Sequence, residues 1–544
     1  MQAERGERRA GVSRDEALEN VRRLFEPAAG GEAGGGEERL DVVIRKFLST
    51  TNINTPITPE ELAANFTRSE IPENPREFGE YMDYLAESVV PYSTHTSSPR
   101  FIGHMTSALP HFVRPLSKLL VAMNQNVVKV ETAKALSPYE REAMAMLHRL
   151  VYDRPEEFYR RHVQQRESTL GMLVTGGTVA NITALWCARN ASLGPRGEFA
   201  GVEKDGLPAA LAAHGYAGEV IVGSALMHYS FDKAADLLGI GTRGLVKAPT
   251  DGRGRVEVSA LEEAVAACRE RRQHIIAVVG VAGTTESGAI DPLDRIADVA
   301  QAAGAHFHVD AAWGGPLLFS REHRRKLAGI ERADSVTVDG HKQLYLPMGV
   351  GVALMRDPHA AAAIEKHARY IVRAGSADLG RRSLEGSRPG MALFLHAALN
   401  VIGARGYEML IDESLRKARW MADAIRARGE FELLQEPEMN ILSYRYVPAR
   451  LRAKAVRGEL TAEDNRAISL FNEELQKAQR QSGYSFVSRT TLDHTRRGGR
   501  VPVTVLRAVI ANPLTTEKDI ESVLDDQSKI AARLSAEAAA EGAS

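Results

Sequence analysis

Two stretches decide the fold that this sequence predicts, His306-Phe-His-Val-Asp310-Ala-Ala-Trp-Gly and Ser335-Val-Thr-Val-Asp-Gly-His-Lys342-Gln. Each begins with a short run that is typical of a buried strand and then continues into polar residues. The first strand ends on a carboxylate, and the second is followed by a histidine and a lysine. Because ligands bind at the carboxyl ends of parallel strands, we expect Asp310 and Lys342 to lie in one site.

Short strand patterns alternate with longer helical patterns over residues 106–385. The predicted strands cover residues 220–222, 275–279, 306–309 and 335–338, and the predicted helices cover residues 179–190, 229–238, 261–271 and 293–303. Such alternation, with strands that are apolar throughout, is typical of an α/β fold with a mainly parallel sheet covered on both faces.

The same patterns divide the chain into four predicted parts. These are an N-terminal helical arm (1–105), a large ligand-binding domain (106–385), a small α+β C-terminal domain (386–530) and a frayed tail (531–544). Within the arm, a capped helix over residues 13–25 precedes the glycine-rich run 30–36, which predicts a flexible linker. In the small domain, long helical patterns precede short strands over residues 441–446 and 504–510.

The composition excludes several classes of protein. The chain has 544 residues, with 69 Lys and Arg against 70 Asp and Glu, so no global field favours nucleic acid or an anionic membrane. The two cysteines, Cys187 and Cys268, cannot form a disulfide framework and suit a reducing compartment. Residues 1–9 lack the apolar core of a secretory signal, and no apolar run is long enough to span a bilayer. We therefore expect a cytoplasmic protein without nucleic-acid or membrane partners.

An aspartate and a lysine at two strand ends are the pair that the cofactor pyridoxal 5'-phosphate (PLP) requires. The lysine binds the cofactor covalently, and the aspartate keeps its pyridine nitrogen protonated. The turn Gly176-Gly-Thr178 opens a helix, whose backbone N–H groups bind phosphate well, although it also suits an ordinary strand–helix turn. His228 could stack on a planar cofactor or be merely structural, and Thr285 could bind a ring substituent.

A metal site is the rival interpretation of the first stretch. Strand periodicity puts His306, His308 and Asp310 on one face, and His-x-His with a neighbouring carboxylate is a common metal-binding pattern in hydrolases. Against it, Ala311 stands where a further histidine often follows. The metal interpretation also leaves Lys342 and the glycine turn without a role, so we expect no metal.

Together these residues resemble the group II PLP-dependent amino-acid decarboxylases, the family of glutamate and aromatic amino-acid decarboxylases. The matching motifs run in order along the chain: Ser98-Pro-Arg-Phe101, Gly176-Gly-Thr-Val-Ala-Asn181, His228-Tyr-Ser, Ala282-Gly-Thr-Thr285, His308-Val-Asp310-Ala-Ala-Trp-Gly314, Gly329-Ile-Glu-Arg-Ala-Asp-Ser335, His341-Lys342 and Leu506-Arg507-Ala-Val-Ile-Ala-Asn-Pro513. Three longer motifs are similar to the bacterial aspartate 1-decarboxylase subgroup: Phe101-Ile-Gly-His-Met-Thr-Ser-Ala-Leu-Pro110, Asp339-Gly-His-Lys-Gln-Leu-Tyr-Leu-Pro-Met-Gly349 and Leu384-Glu-Gly-Ser-Arg-Pro-Gly-Met391. The resemblance implies a type I PLP-dependent (aspartate aminotransferase-like) fold and homodimers with active sites at the subunit interface.

The resemblance also implies how the cofactor is held. The expected cofactor-binding residues are Gly177, Thr178, His228, Thr285, Asp310, Ala312, His341 and Lys342, of which the first two and His341 surround the phosphate. Lys342 would bond to the cofactor and Asp310 would pair with the pyridine nitrogen. His228 and Ala312 would flank its ring.

The implied substrate contacts come from elsewhere in the chain. Arg507 would bind the substrate carboxylate, and His104 and Thr106 would contact the distal carboxylate. Tyr370 would lie on the catalytic loop. The implied catalytic residues are thus Lys342, His228, Asp310 and Tyr370.

Two positions depart from the pattern of relatives. Asp339 replaces an asparagine three residues before the lysine, and His104 replaces the glutamine of glutamate decarboxylases. The implied reaction is PLP-dependent α-decarboxylation of L-aspartate to β-alanine and CO₂, a supply for pantothenate and coenzyme A. Glutamate decarboxylation to γ-aminobutyrate, or dual specificity, is the close alternative. The metal-dependent hydrolase, and a PLP-fold protein that binds without catalysing, are the remote alternatives.

Overall fold

The computed structural model describes residues 14–25, 32–73, 76–368, 375–496 and 499–541. The described residues form two compact units, one that ends at His95 and one that begins at Thr96. The predicted domain boundaries at residues 105, 385 and 530 stay predictions. Among the described helices, none combines the length and the apolar character that a membrane crossing needs.

The first unit is helical. Its α-helices are α1 (Arg14–Arg23), α2 (Glu32–Leu48), α3 (Pro59–Ala64) and α4 (Phe78–Ser88). Helix α1 lies where the sequence predicts a helix, but the predicted linker is wrong, because α2 begins at Glu32 inside the glycine-rich run. Extending a helix by one residue is much easier than nucleating one, so the helical pattern of residues 37–48 continues back across the glycines.

A seven-stranded sheet forms the centre of the second unit. Its strands are β1 (Gly171–Val174), β2 (Gly218–Ser224), β3 (Leu245–Ala248), β4 (Gln273–Val281), β5 (His306–Asp310), β6 (Ser335–Asp339) and β7 (Gly351–Met355). The spatial order is β1-β7-β6-β5-β4-β2-β3, with β3, β2, β4, β5 and β6 parallel and β7 antiparallel to both of its neighbours. The prediction of a mainly parallel sheet is therefore confirmed.

Helices surround this sheet and continue into the C-terminal part of the unit. In chain order they are α5 (Val113–Met123), α6 (Val130–Ala133), α7 (Leu136–Tyr152), α8 (Glu156–His162), α9 (Gly177–Ser192), α10 (Val202–His214), α11 (Ser230–Leu237), α12 (Val258–Glu270), α13 (Leu293–Ala303), α14 (Ala392–Val401), α15 (Gly403–Arg428), α16 (Ala449–Val456), α17 (Ala462–Ser482) and α18 (Glu517–Glu541). Short 3-10 helices occupy Val90–Tyr92 in the first unit and Thr242–Gly244, Gly315–Phe319, Arg324–Leu327, Ile330–Arg332, Ala360–Ile364 and Leu379–Arg382 in the second. Helix α18 continues to Glu541, through part of the segment that was predicted to fray.

Both faces of the sheet are covered, as continuous apolar strands require. Val220 and Val222 of β2 belong to a core that α7, α12 and α13 complete. Ile221, between them, belongs to a second core with residues of α9 and α11. Successive side chains of one strand thus enter opposite cores, and the polar ends of the strands are left for a ligand.

A second, antiparallel sheet follows in the C-terminal part. Its strands β8 (Phe431–Leu433), β9 (Ile441–Tyr446), β10 (Ser488–Arg496) and β11 (Gly499–Val509) are ordered β10-β11-β9-β8. Residues of α15, α17 and α18 complete its core. The segment that contains Ile102 lies against this sheet, since the Ile102 N–H donates to the carbonyl of Phe486 at 3.0 Å.

Candidate active site

A cavity of about 500 Å³ opens at the carboxyl ends of β4, β5 and β6 and at the N-terminus of α9. Its lining includes His104, Thr106, Gly177, Thr178, His228, Thr285, Asp310, Ala312, His341, Lys342 and Arg507. Residues far apart in the sequence, which were predicted to form one site, thus lie together. Tyr370 was also predicted for this site, but it lies outside the described residues.

Asp310 ends β5 and is held by two hydrogen bonds. Its Oδ2 accepts from the Asn181 side chain at 3.0 Å, and its Oδ1 accepts from the backbone N–H of Ala312 at 3.1 Å. Asn181 lies on α9, one turn after Gly177, and was quoted only as part of a motif. Because each oxygen has a donor, the carboxylate has a fixed orientation at the edge of the cavity.

A buried polar chain fixes Asn181 in turn. With its Nδ2 on Asp310, its Oδ1 must accept from Nε2 of His308, 3.1 Å away. The other ring nitrogen of His308 lies 2.8 Å from the hydroxyl of Ser335, which therefore donates to it. Burial lowers the pKa of His308 to about 3, so the ring is neutral and this arrangement is stable at ordinary pH.

The two histidines of the rival metal interpretation both contact a protein hydroxyl. Nε2 of His306 lies 2.7 Å from the Ser335 hydroxyl that also binds His308, so both rings are engaged with protein groups. Within the described ranges, no group of three or more His, Cys, Asp or Glu side chains is arranged to hold a metal ion. The two histidines support the sheet behind Asp310 instead.

Lys342 lies on the turn that follows β6. Its Nζ is 3.7 Å from Oδ2 of Asp339, and its side chain is 16% exposed. Three residues later, Tyr345 adopts a left-handed backbone (φ +58°), an uncommon conformation for a residue with a bulky side chain. Hydrogen bonds hold it there, from its N–H to the Lys342 carbonyl at 3.2 Å and from its hydroxyl to the Ala511 carbonyl at 3.0 Å. The turn that presents the lysine is therefore anchored to the C-terminal part of the chain.

Asp339, which stands where relatives have an asparagine, forms a hydrogen bond with the backbone. Its Oδ2 accepts from the backbone N–H of Gly177 at 3.1 Å, at the N-terminus of α9. Its Oδ1 lies 2.8 Å from Nδ1 of His341, but the two atoms lack hydrogen-bond alignment, and among the described residues neither has another partner. A Cβ on Gly177 would lie 3.0 Å from this carboxylate and 3.3 Å from Cβ of Ala312. The glycine thus leaves room that any other residue would fill.

His228 lines the cavity, and one nitrogen of its ring is hydrogen-bonded to the backbone. Its Nδ1 accepts from the backbone N–H of Ser230 at 3.2 Å, which leaves the proton of the neutral ring on Nε2. Burial is the main reason that the pKa of His228 is lowered, so the ring is neutral at ordinary pH. A neutral ring suits stacking on an aromatic cofactor.

Arg507, on β11, has hydrogen-bond partners for two of its three guanidinium nitrogens. Its Nε donates to the Thr285 carbonyl at 2.6 Å, and its Nη1 donates to the Ser488 hydroxyl at 3.1 Å. Its Nη2 is buried and has no hydrogen-bond partner in the part of the chain that the structure describes. Burial lowers the pKa of Arg507 to about 10, which still leaves the guanidinium charged at neutral pH. Although the charge of Glu286 acts on this guanidinium, Nη2 has no hydrogen-bond acceptor among the described residues and can donate to an anionic ligand.

His104 reaches the same cavity because of a glycine. A Cβ on Gly103 would lie 2.4 Å from the backbone nitrogen of Ser488, so only glycine lets this segment pass so close to β10. Nδ1 of His104 lies 3.1 Å from the Thr106 hydroxyl. Burial, together with the positive charges of Arg507, His341 and Lys342, lowers the pKa of His104. The ring is therefore a neutral hydrogen-bonding group beside several cations.

Glu286 is a further residue that the sequence did not single out. It follows Thr285, and its Oε2 is buried without a hydrogen-bond partner among the described residues. Burial raises the pKa of Glu286, whereas the charge of Arg507 lowers it. In the sequence, only its position next to Thr285 indicated that Glu286 lies near the site.

Comparison with known proteins assigns the class. Residues 59–447 match the family described as the pyridoxal-dependent decarboxylase conserved domain. The chain is 45% identical over 525 residues to aspartate 1-decarboxylase of Aliivibrio fischeri, with 95% of each chain covered. It is 31% identical to L-2,4-diaminobutyrate decarboxylase of Rhizobium meliloti, over 78% of this chain and 77% of that protein. The chain therefore belongs to the pyridoxal-dependent decarboxylase family, as its motifs predict.

Solved structures support the same conclusion. The crystal structure of mouse CSAD matches with a TM-score of 0.79 and 25% identity, over 93% of this chain and 99% of that one. The fold is that of the type I PLP-dependent enzymes, as predicted, and the protein is a PLP-dependent carboxy-lyase that acts on an amino acid. The cavity fits the cofactor, because Asp310 can pair with its ring nitrogen and the N-terminus of α9, with Thr178 and His341 in the cavity lining, suits its phosphate.

Proposed function

We propose that the protein decarboxylates L-aspartate at its α-carboxylate, giving β-alanine and CO₂. The observation that carries the proposal is the free Nη2 of Arg507, a charged donor in the same cavity as Lys342. The 45% identity to a protein named aspartate 1-decarboxylase supports the same substrate. The more distant relative is named for diaminobutyrate, so the choice of substrate depends on the residues of this cavity.

In this proposal the residues around the cavity first hold the cofactor. Lys342 binds the cofactor covalently, Asp310 pairs with its ring nitrogen, and His228 and Ala312 flank the ring. The phosphate is bound by Gly177, Thr178 and His341, and Thr285 binds a ring substituent. The bound cofactor supplies an electron sink for the bond that breaks.

The chain's own groups then decide which bond breaks. Arg507 would bind the α-carboxylate and so hold its bond to Cα in one fixed orientation in the cavity. A general acid returns a proton to Cα, and Tyr370, His228 and Lys342 are the proposed donors. His104 and Thr106 contact the distal carboxylate.

The close alternative is glutamate, whose side chain is one methylene longer. A difference of one methylene changes recognition by only about 1–3 kcal/mol, so dual activity is compatible with this cavity. The test is to incubate the PLP-loaded protein with each acid and to measure β-alanine and γ-aminobutyrate. We expect mainly β-alanine, and mainly γ-aminobutyrate would overturn the choice of aspartate.

We further propose that the protein is a cytoplasmic homodimer with its active sites at the subunit interface, and that its β-alanine serves the synthesis of pantothenate and coenzyme A. The dimer is expected from the family, in which an amino-acid substrate is bound between two subunits. Light scattering on the purified protein should give twice the mass of one chain. A mass of one chain at micromolar concentration would contradict it.

A further inference from the structure

Three buried side chains form a closed ring of hydrogen bonds behind the cavity. Nε1 of Trp313 donates to Oδ1 of Asn440 at 3.0 Å, and Nδ2 of Asn440 donates to Oε1 of Gln343 at 2.8 Å. Nε2 of Gln343 donates to the carbonyl of Trp313 at 2.7 Å and closes the ring. Every member donates once and accepts once, so the orientation of both amides is fixed.

The ring is isolated from solvent. Trp313 is 1% exposed, and Gln343 and Asn440 are 0% exposed. Nδ2 of Asn440 also donates to the Ser414 hydroxyl at 3.1 Å and to the carbonyl of Ile510 at 3.5 Å. A buried amide that loses its partner keeps the full cost of desolvation, so the ring strongly resists distortion.

Each member stands next to a residue of the proposed site. Trp313 follows Ala312, and Gln343 follows Lys342. Asn440 precedes β9, which pairs with β11 so that Ser443 lies opposite Arg507. The carbonyl of Asn440 also accepts from the backbone N–H of Ile510 at 2.8 Å, three residues after Arg507. The ring therefore joins the turn that presents the lysine to the strand that presents the arginine.

We infer that Trp313, Gln343 and Asn440 are positioning residues that set the placement of Lys342 relative to Arg507. The inference rests on the proposed roles of those two residues. An apolar cluster of the same volume would fill this space at similar stability, but it would leave the two segments free to shift. A directional ring fixes their separation, which matters because a displacement of about 1 Å can cost a hundredfold in rate.

The test variant is Gln343→Met, which keeps the length of the side chain and removes both hydrogen bonds. The matched control is Gln479→Met, since Gln479 is also 0% exposed and donates to the Ser485 hydroxyl at 2.7 Å, in α17. Both proteins are loaded with PLP. The measurements are kcat and KM for whichever of aspartate or glutamate the wild type prefers, the Kd of PLP, and the Kd of succinate, an unreactive dicarboxylate, from cofactor absorbance.

For Gln343→Met we expect kcat/KM to fall about ten- to a hundredfold, with increases in KM and in the Kd of succinate, while the Kd of PLP stays within about threefold. Gln479→Met should lose comparable thermal stability and keep the wild-type KM. A KM and a succinate Kd that stay at wild-type values in Gln343→Met would overturn the inference.

A milder variant covers the case in which Gln343→Met does not fold. Trp313→Phe removes the Nε1 donor together with the five-membered part of the indole and leaves both bonds of Gln343 in place, and we expect KM to rise about three- to tenfold. An unchanged KM in this variant would also overturn the inference. If the proposed function is wrong, the wild type forms neither β-alanine nor γ-aminobutyrate. The Kd of succinate can still be compared between the variants and the wild type, so failure of the inference is distinguishable from failure of the proposed function.

Discussion

The placement of Asp310 and Lys342 at one cavity was predicted from the sequence, because each stands at or just after the end of a short strand pattern that is recognisable in one sequence. Asn181 and Glu286 were not predicted, because their importance depends on partners that lie far away in the chain, Asp310 for the first and Arg507 for the second. Spacing rules report which face of an element a residue occupies, but not which distant side chain it meets.

Replacing the lysine tests the central assignment. In Lys342→Ala the cofactor should no longer be covalently bound, so the visible absorbance of the bound form and its borohydride-stable label should vanish. The rate should fall by about three orders of magnitude or more. Lys247→Ala is the control, because Lys247 is a half-exposed lysine on β3 that pairs with Asp232. Unchanged activity in Lys342→Ala would refute the assignment.

The proposed contact of His104 with the distal carboxylate can be tested by exchanging this residue. In His104→Gln the neutral ring is replaced by the amide found in glutamate decarboxylases, which should favour the longer acid. We expect the ratio of kcat/KM for aspartate to that for glutamate to fall roughly ten- to a hundredfold. Competition assays with both acids in one mixture measure this ratio directly. A ratio within twofold of the wild type would place specificity elsewhere in the cavity.

At the scale of elements, the parallel strands β2, β4, β5 and β6 were predicted correctly, because burial on both faces gives continuous apolar runs. The antiparallel insertion of β7 between β6 and β1 was not predicted, since strand direction depends on the connecting chain rather than on local pattern. The helix that begins at Glu32 was also missed, because glycines lower helix propensity without forbidding a helix that is already formed.

The N-terminus of α9 gives a test of the cofactor cradle. In Gly177→Ala the new Cβ would lie 3.0 Å from the Asp339 carboxylate and 3.3 Å from Cβ of Ala312, tighter than ordinary contacts, and would displace groups that line the cavity. We expect the Kd of PLP to rise about tenfold, with little loss of thermal stability. Gly252→Ala is the matched control, because a Cβ there meets nothing within 4 Å. Equal PLP affinities of the two variants would contradict this role.

Asp291 stabilises the loop that carries Thr285 through hydrogen bonds to the backbone. Its oxygens accept from the backbone N–H groups of Val256 and Val281 at 2.7 and 2.9 Å, and burial raises its pKa to about 7. Because the folded protein holds this proton more tightly than the unfolded chain, its contribution to stability is full below about pH 4. That contribution is lost as the pH rises toward 7.

Asp291→Asn should flatten this dependence. The free energy of unfolding, measured by denaturant at pH 4, 5.5, 7 and 8, should fall less steeply with pH in the variant than in the wild type. The variant should be less stable overall, since its amide cannot accept from both N–H groups. Asp298→Asn, at an exposed aspartate of α13, is the control and should keep the wild-type slope.

For the whole molecule, stability depends on buried charge pairs as well as on the apolar cores. Glu140 of α7 and Arg388 form a bidentate pair with one hydrogen bond of 2.7 Å, and both side chains are buried. Composition showed only that charges balance overall. Which of them are buried together follows from the packing of α7 against the segment before α14, and a single sequence does not report this.

Breaking that pair should be costly. In Glu140→Ala the guanidinium of Arg388 stays buried without its partner, and the free energy of unfolding should drop by about 3–5 kcal/mol. Glu156→Ala removes an exposed pair with Arg149 and should cost less than about 1 kcal/mol. Chemical denaturation of both variants gives the comparison, and similar losses would show that burial does not matter here.

The placement of the two sets of site residues has a consequence for how such an enzyme can evolve. The groups proposed to handle the cofactor stand on β5, the turn after β6 and α9, whereas those proposed to recognise the substrate stand on the segment around His104 and on β11. Mutations at His104 and Thr106 leave Lys342, Asp310 and Arg507 in place, so new preferences can be sampled without passing through inactive intermediates. Directed evolution toward other amino acids should therefore begin with small libraries at His104 and Thr106.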